Sequence, residues 1–150
     1  MIRILYIDDE PHNLIAFRAS FRREYQVFTA ESAFEAKDIL EEQDIHVILS
    51  DQRMPRMSGI EFFESILHVF PDPIRILITG YTDINAVIDA INRGQVYKYL
   101  TKPWSENDIR NFVDKAYEVY TLRKQNIELT EKLIDLNNKL EFLARQSLLS

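Results

Sequence analysis

The sequence predicts an α/β fold in which helices cover both faces of a five-stranded parallel sheet. Five short segments rich in β-branched and apolar residues alternate with segments whose apolar residues recur at helical spacing. Several of the strand segments are apolar throughout, which is typical of parallel strands buried on both faces. A doubly wound sheet of five such strands is expected to have the flavodoxin-like order 2-1-3-4-5.

The strands are predicted from apolar runs that end at polar or turn-forming residues. They cover residues 2–7, 26–30, 45–51, 74–79 and 96–101.

Helix signals stand between these runs. Pro11 suits the first turn of a first helix, and Ser32 followed by Glu35 is a capping-box pattern that opens a second. Ser58 opens a third helix that continues to about residue 70, where two prolines end it. A fourth helix is expected over residues 83–92, with Gly94 as its stop signal.

From Ser105 the pattern is helical to the end of the chain, and its apolar residues narrow to a two-in-seven stripe. We therefore predict a globular domain over residues 1–120 and a helical extension over 121–150 that forms a parallel coiled-coil homodimer. An asparagine at an inner heptad position favours two strands. The alternative is that the stripe folds back onto its own domain. The stripe consists of Val119, Leu122, Asn126, Leu129, Leu133, Leu136, Leu140 and Leu143.

Composition narrows the class of protein. A formal net charge of -6 argues against direct binding of nucleic acid, which normally needs a basic surface. The chain contains no cysteine, so disulfides and thiolate metal sites are excluded. No apolar run approaches the length of a signal peptide or a membrane span. We expect a cytoplasmic protein with no membrane partner.

Polar residues stand at the carboxyl ends of four predicted strands, the edge where parallel sheets bind ligands. Asp8 and Asp9 follow the first strand, Asp51 ends the third, Thr79 ends the fourth and Lys102 follows the fifth. Converging carboxylates repel one another without a cation, and oxygen ligands favour Mg²⁺. The pattern indicates phosphoryl transfer onto Asp51, with Lys102 and Thr79 holding the phosphoryl oxygens. Each residue taken alone could be a helix cap or an ordinary strand residue; the set together favours the site.

The same residues, in this order, resemble the receiver domain of two-component response regulators over about residues 1–120. The resemblance rests on Asp8-Asp9, Asp51 with Met54-Pro55 and Gly59, Thr79-Gly80, and Tyr99 three residues before Lys102-Pro103.

The resemblance implies a phosphoacceptor signalling domain rather than an enzyme, capable at most of self-phosphorylation and autodephosphorylation. Asp51 would receive the phosphoryl group from a histidine kinase or a histidine phosphotransferase. Asp9, Asp51 and the backbone carbonyl of Arg53 would bind Mg²⁺, and Asp8 would act through water. The Lys102-Pro103 bond would be cis.

The resemblance also implies a switch formed by Thr79 and Tyr99. The Thr79 hydroxyl would move toward the phosphoryl group, and the Tyr99 ring would turn inward. The last helix would then relay the signal to an output domain or a partner.

Three residues depart from the family pattern or bear on its kinetics. Gln52 is polar where the family often has an apolar residue. Arg53 and Tyr81, two residues beyond Asp51 and Thr79, are large, which in this family hinders the attacking water and implies a long phosphoryl lifetime.

Two other functions remain open at this stage. One is a phosphatase with Asp51 as covalent nucleophile, although such enzymes usually carry Asp-x-Asp and residue 53 is Arg. The other is a dimeric scaffold that is never phosphorylated.

Overall fold

The computed structural model describes residues 1–80 and 83–149, and in these ranges five strands alternate with five helices. The elements are β1 (Arg3–Ile7), α1 (Pro11–Phe21), β2 (Gln26–Ala30), α2 (Ala33–Glu42), β3 (Val47–Asp51), α3 (Gly59–Ile66), β4 (Ile74–Thr79), α4 (Ile84–Gly94), β5 (Lys98–Thr101) and α5 (Glu106–Leu149).

The five strands form one parallel sheet in the order β2-β1-β3-β4-β5, which confirms the predicted flavodoxin-like topology. The central strands β3 and β4 are buried at every position, whereas the edge strands β2 and β5 are partly exposed. Helices α1 and α5 pack on one face of the sheet and α2, α3 and α4 on the other, so each face has its own apolar core.

Three strands are shorter than the sequence predicts. The structure starts β1, β3 and β5 one or two residues later, at Arg3, Val47 and Lys98. Apolar residues before these points extend the hydrophobic pattern but not the strand itself. Helix α3 likewise ends at Ile66 rather than near residue 70.

Helix α4 ends at Gly94, where the sequence predicts a stop, but the glycine is not the left-handed residue of the cap. The helix includes Gly94, and the left-handed residue that follows it is Gln95, with φ of 49°. A Cβ at Gly94 would lie 3.1 Å from the Cβ of Phe63 on α3. The glycine therefore permits the close approach of α4 to α3. This packing requirement cannot be read from the local sequence pattern.

Helix α5 is a single helix of 44 residues, about 66 Å long at 1.5 Å per residue. Its first turns bury Ile109, Val113 and Ala116 against the sheet. Residues 125–149 are exposed throughout, so the leucine stripe does not fold back onto the globular part. Among the described helices, none has the combination of length and apolar composition needed to cross a membrane.

The globular part holds α5 beyond the predicted boundary at residue 120. The ring of His46 lies 5.0 Å from that of Tyr117 and 4.9 Å from that of Tyr120, edge to face in both cases. One helical turn later, Lys124 forms an ion pair of 2.6 Å with Asp72 in the loop between α3 and β4. The extension therefore leaves the globular part after Lys124 in a direction that these contacts set.

Gly59 allows the start of α3 to approach β3. A Cβ at this residue would lie 2.6 Å from the backbone oxygen of Asp51 and 2.8 Å from Cδ1 of Leu77. Both distances are too short for any side chain, so the tight turn between Asp51 and α3 requires glycine.

We expect Gly59→Ala to lower the free energy of unfolding by about 1–3 kcal/mol, the usual cost of overpacking. Gly80→Ala is the matched control, because its Cβ would meet Oδ2 of Asp83 at 3.4 Å, an ordinary contact. Urea unfolding of the two variants and the parent measures the difference, and equal stability of the two variants would contradict this account.

Candidate functional site

The carboxyl ends of β1, β3, β4 and β5 meet at one edge of the sheet, and the predicted site residues lie there together. One carboxylate oxygen from each of Asp8, Asp9 and Asp51 lies within 4.8 Å of the other two. Strand register explains this convergence, because β1 and β3 are paired and their last residues reach the same edge.

Asp51 is the buried centre of the site, with 5% of its surface exposed. The Lys102 ammonium lies 3.0 Å from its Oδ1. Burial raises the pKa of Asp51 above the ordinary value of an aspartate, the lysine opposes that rise, and the charges of Asp8 and Asp9 add to it. The edge therefore holds more negative charge than one ammonium balances, which is an environment that attracts a cation.

Asp8 is fully buried and is held by three hydrogen-bond donors. The Tyr6 hydroxyl and the Asn13 side-chain amide each donate to Oδ2 at 3.0 Å, and the backbone amide of Glu10 donates to Oδ1 at 3.0 Å. The sequence pattern identified Asp8 but neither of these two side chains, since nothing in their spacing marks them as its donors.

Arg53 lies in the loop between β3 and α3, where its carbonyl is one of the expected metal ligands. Its guanidinium forms an ion pair of 2.6 Å with Asp83, the residue before α4, and this pairing raises the pKa of Arg53. The sequence analysis missed Asp83 because the contact joins loops 30 residues apart. Tyr81, the other large residue predicted to slow hydrolysis, lies outside the described residues.

Gln52, the departure from the family pattern, has a structural role here. Its side-chain oxygen accepts a hydrogen bond of 3.0 Å from the amide of Ile60, and its backbone oxygen accepts one from the amide of Gly59. These two amides open α3 and have no carbonyl partner within the helix. A polar residue at this position thus satisfies the start of the next helix.

The two residues predicted to form a switch differ in exposure. Thr79 is fully buried at the end of β4, where its hydroxyl donates to the Gly80 carbonyl at 3.4 Å. Tyr99 lies on the edge strand β5 with 42% of its surface exposed.

The loop after β5 fixes the lysine. The Lys102-Pro103 bond is cis, as the resemblance implied, and the Lys102 amide donates to the Thr79 carbonyl at 2.9 Å. Trp104 then packs its ring 5.8 Å from that of Phe17 and 6.0 Å from that of Phe21, both on α1. The backbone at Lys102 is thereby held by β4 through its amide and by α1 through Trp104.

Comparison with known proteins identifies the family. A family profile described as "Response regulator receiver domain" matches residues 4–114. The chain belongs to this family. A receiver domain is a signalling domain. The family resemblance and the fold predicted from the sequence are both confirmed.

Named relatives and solved structures agree with this assignment. The hydrogenase transcriptional regulatory protein HoxA of Bradyrhizobium diazoefficiens is 36% identical over 122 residues, which is 81% of this chain and 25% of that protein. A structure titled adenylate cyclase from Rhodopirellula baltica superimposes with a TM-score of 0.82 at 31% identity, covering 87% of this chain and 97% of that one. The beryllofluoride-activated NtrC4 receiver domain dimer superimposes with a TM-score of 0.72 at 32% identity, covering 80% and 99%.

The receiver chain spans about a quarter of the length of the curated relatives it matches.

Proposed function

We propose that this receiver domain accepts a phosphoryl group on Asp51 from a histidine kinase or histidine phosphotransferase and relays its presence through the last helix. The observation that carries the proposal is the buried carboxylate of Asp51, paired with Lys102 at 3.0 Å and crowded by two further acids. A carboxylate at the end of a central strand is accessible to a phosphodonor from one side only, where the loops open.

In the transfer step, a carboxylate oxygen of Asp51 forms the new bond to phosphorus as the bond from phosphorus to the donor's leaving group breaks. The Lys102 ammonium offsets the negative charge that accumulates on the phosphoryl oxygens, and the Thr79 hydroxyl donates a hydrogen bond to one of them. The Lys102 ammonium already lies 3.0 Å from Oδ1 of Asp51, whereas the Thr79 hydroxyl, which donates to the Gly80 carbonyl, would turn toward the phosphoryl group.

The donor set fits Mg²⁺, which takes oxygen ligands and is commonly held by one or two carboxylates plus waters. Asp9, Asp51 and the carbonyl of Arg53 would bind the ion directly, and Asp8 would act through water. When bound, the ion neutralises the acids and polarises the phosphoryl oxygens.

Relay would begin with the charge of about -2 that a phosphoryl group brings to Asp51. The buried Thr79 hydroxyl would turn toward that charge, and the exposed Tyr99 ring would move into the space left behind. This changes the surface of α4 and β5 and, through it, the packing of α5. Such a change is a shift between two packings of one fold.

The extension would act as a parallel homodimeric coiled coil. Its inner leucines are 53–66% exposed in the single chain, which is unfavourable unless another apolar surface covers them. The NtrC4 receiver domain is described as a dimer, which supports dimerisation of this receiver as well. HoxA is named a transcriptional regulator and the Rhodopirellula protein an adenylate cyclase, so we propose no single class of output.

Incubation with a small phosphodonor and Mg²⁺ tests the acceptor. We expect one phosphoryl group per chain by intact mass, no label in Asp51→Asn, and parent-like labelling in the control Asp38→Asn, an exposed acid on α2. Continuous turnover of the donor without stoichiometric label would indicate a phosphatase, and no reaction at all would indicate a scaffold. Either result would refute the proposal.

The phosphoryl lifetime is expected to depend on Arg53. Arg53→Asn, alone and with Tyr81→Glu, should shorten the decay severalfold, because a smaller side chain admits water to the phosphorus. Arg56→Asn, the same change three residues further along the loop, should leave the decay unchanged. Loss of label after removal of the donor gives the rates, and a parent that decays as fast as Arg53→Asn would contradict the idea.

The dimer is tested by two adjacent apolar residues of similar exposure, Leu133 at 66% and Ile134 at 56%. Only Leu133 lies on the inner stripe, so Leu133→Glu should shift the protein toward monomer and Ile134→Glu should not. Analytical ultracentrifugation measures the association. A monomeric parent, or equal effects of both substitutions, would exclude the proposed coiled-coil interface.

A further inference from the structure

Tyr6 is a buried group that the proposed phosphoryl transfer does not use. It lies in β1 with 1% of its surface exposed, two residues before Asp8. Its ring stacks on that of Phe17 with centroids 4.2 Å apart and planes 9° apart. The stack fixes the direction of the hydroxyl, which donates to Oδ2 of Asp8 at 3.0 Å.

The hydrogen bonds to Asp8 nearly exhaust its capacity to accept. An ionised carboxylate offers about four lone-pair sites, two on each oxygen. Tyr6 and Asn13 fill both sites of Oδ2, and the amide of Glu10 fills one site of Oδ1. A cation can therefore reach Asp8 at one oxygen only, and bidentate contact is closed. By contrast, no described residue donates a hydrogen bond to the carboxylate of the neighbouring Asp9.

The number of free carboxylate oxygens discriminates between divalent cations. Ca²⁺ takes six to eight oxygen ligands and often binds carboxylates through both oxygens, whereas Mg²⁺ keeps several waters and uses one or two carboxylates. A third acid within 4.8 Å would give the site the donors that favour Ca²⁺ if its oxygens were free. With Oδ2 occupied, Asp8 serves an ion best through a water of its hydration shell.

We propose that Tyr6 is a positioning residue that sets the cation specificity of this site, favouring Mg²⁺ over Ca²⁺ by closing one oxygen of Asp8. Asn13 shares this role from α1. The inference rests on the proposed function only in placing a divalent cation at the acidic edge. It requires no phosphorylation of Asp51.

The test is the ratio of the dissociation constants of Ca²⁺ and Mg²⁺, measured by calorimetric titration of each chloride salt into the protein. In Tyr6→Phe we expect the Ca²⁺ to Mg²⁺ ratio to fall by about tenfold, the lower range of effects reported for outer-shell partners of metal ligands. A loss of stability alone would alter both constants together and leave the ratio in place.

Tyr25→Phe is the matched control. Tyr25 is also buried, and its hydroxyl donates to a carboxylate, Asp114, at 2.8 Å, but far from the acidic edge. The ratio should not change in this variant. Asn13→Ala alters a partly exposed helix position, frees one acceptor site on the same oxygen of Asp8, and keeps the test decidable if Tyr6→Phe does not fold.

An unchanged ratio in folded Tyr6→Phe or Asn13→Ala would overturn the inference, as would an equal fall in Tyr25→Phe. Neither result would bear on the acceptor role of Asp51, which is measured separately with the phosphodonor. A parent that binds neither ion would overturn this inference and the magnesium proposal together, again without deciding the labelling experiment.

Discussion

The crowding of three carboxylates at one edge of the sheet is the constraint on which the rest of the structure depends. Parallel strands send their carboxyl ends to the same side, so Asp8, Asp9 and Asp51 meet whether or not their charges favour it. The chain offsets the repulsion with the Lys102 ammonium and with donors to Asp8. In our proposal, the negative charge that these contacts leave uncompensated binds a cation and, through it, a phosphoryl group.

Close contacts fix the backbone around this edge of the sheet. Gly59 brings the start of α3 against the backbone of Asp51, Gln52 satisfies the first amides of that helix, and Trp104 anchors the loop that carries Lys102. Each contact fixes backbone rather than the reacting atoms. The backbone around the reacting groups is thus positioned by residues whose own side chains take no part in the proposed chemistry.

The sequence predicts the sheet and the acidic edge well because both follow from periodicity and strand ends. Asp51 and Lys102 each close a strand, so strand order alone brings them together. Tyr6, Asn13 and Asp83 escape this reasoning, since their roles depend on rotamers and on contacts between separate elements. Gly94 ends α4 as its local pattern predicts, but that pattern does not reveal that the glycine also lets α4 pack closely on α3.

Helix α5 projects from the globular part as one long exposed helix. Because Lys124 and the two tyrosines before it fix the base to the globular part, the 25 residues beyond it move as one rod. A tilt of about 5° at that base displaces a tip about 38 Å away by about 3 Å. A small change in the packing of α5 on the sheet is therefore amplified along the helix.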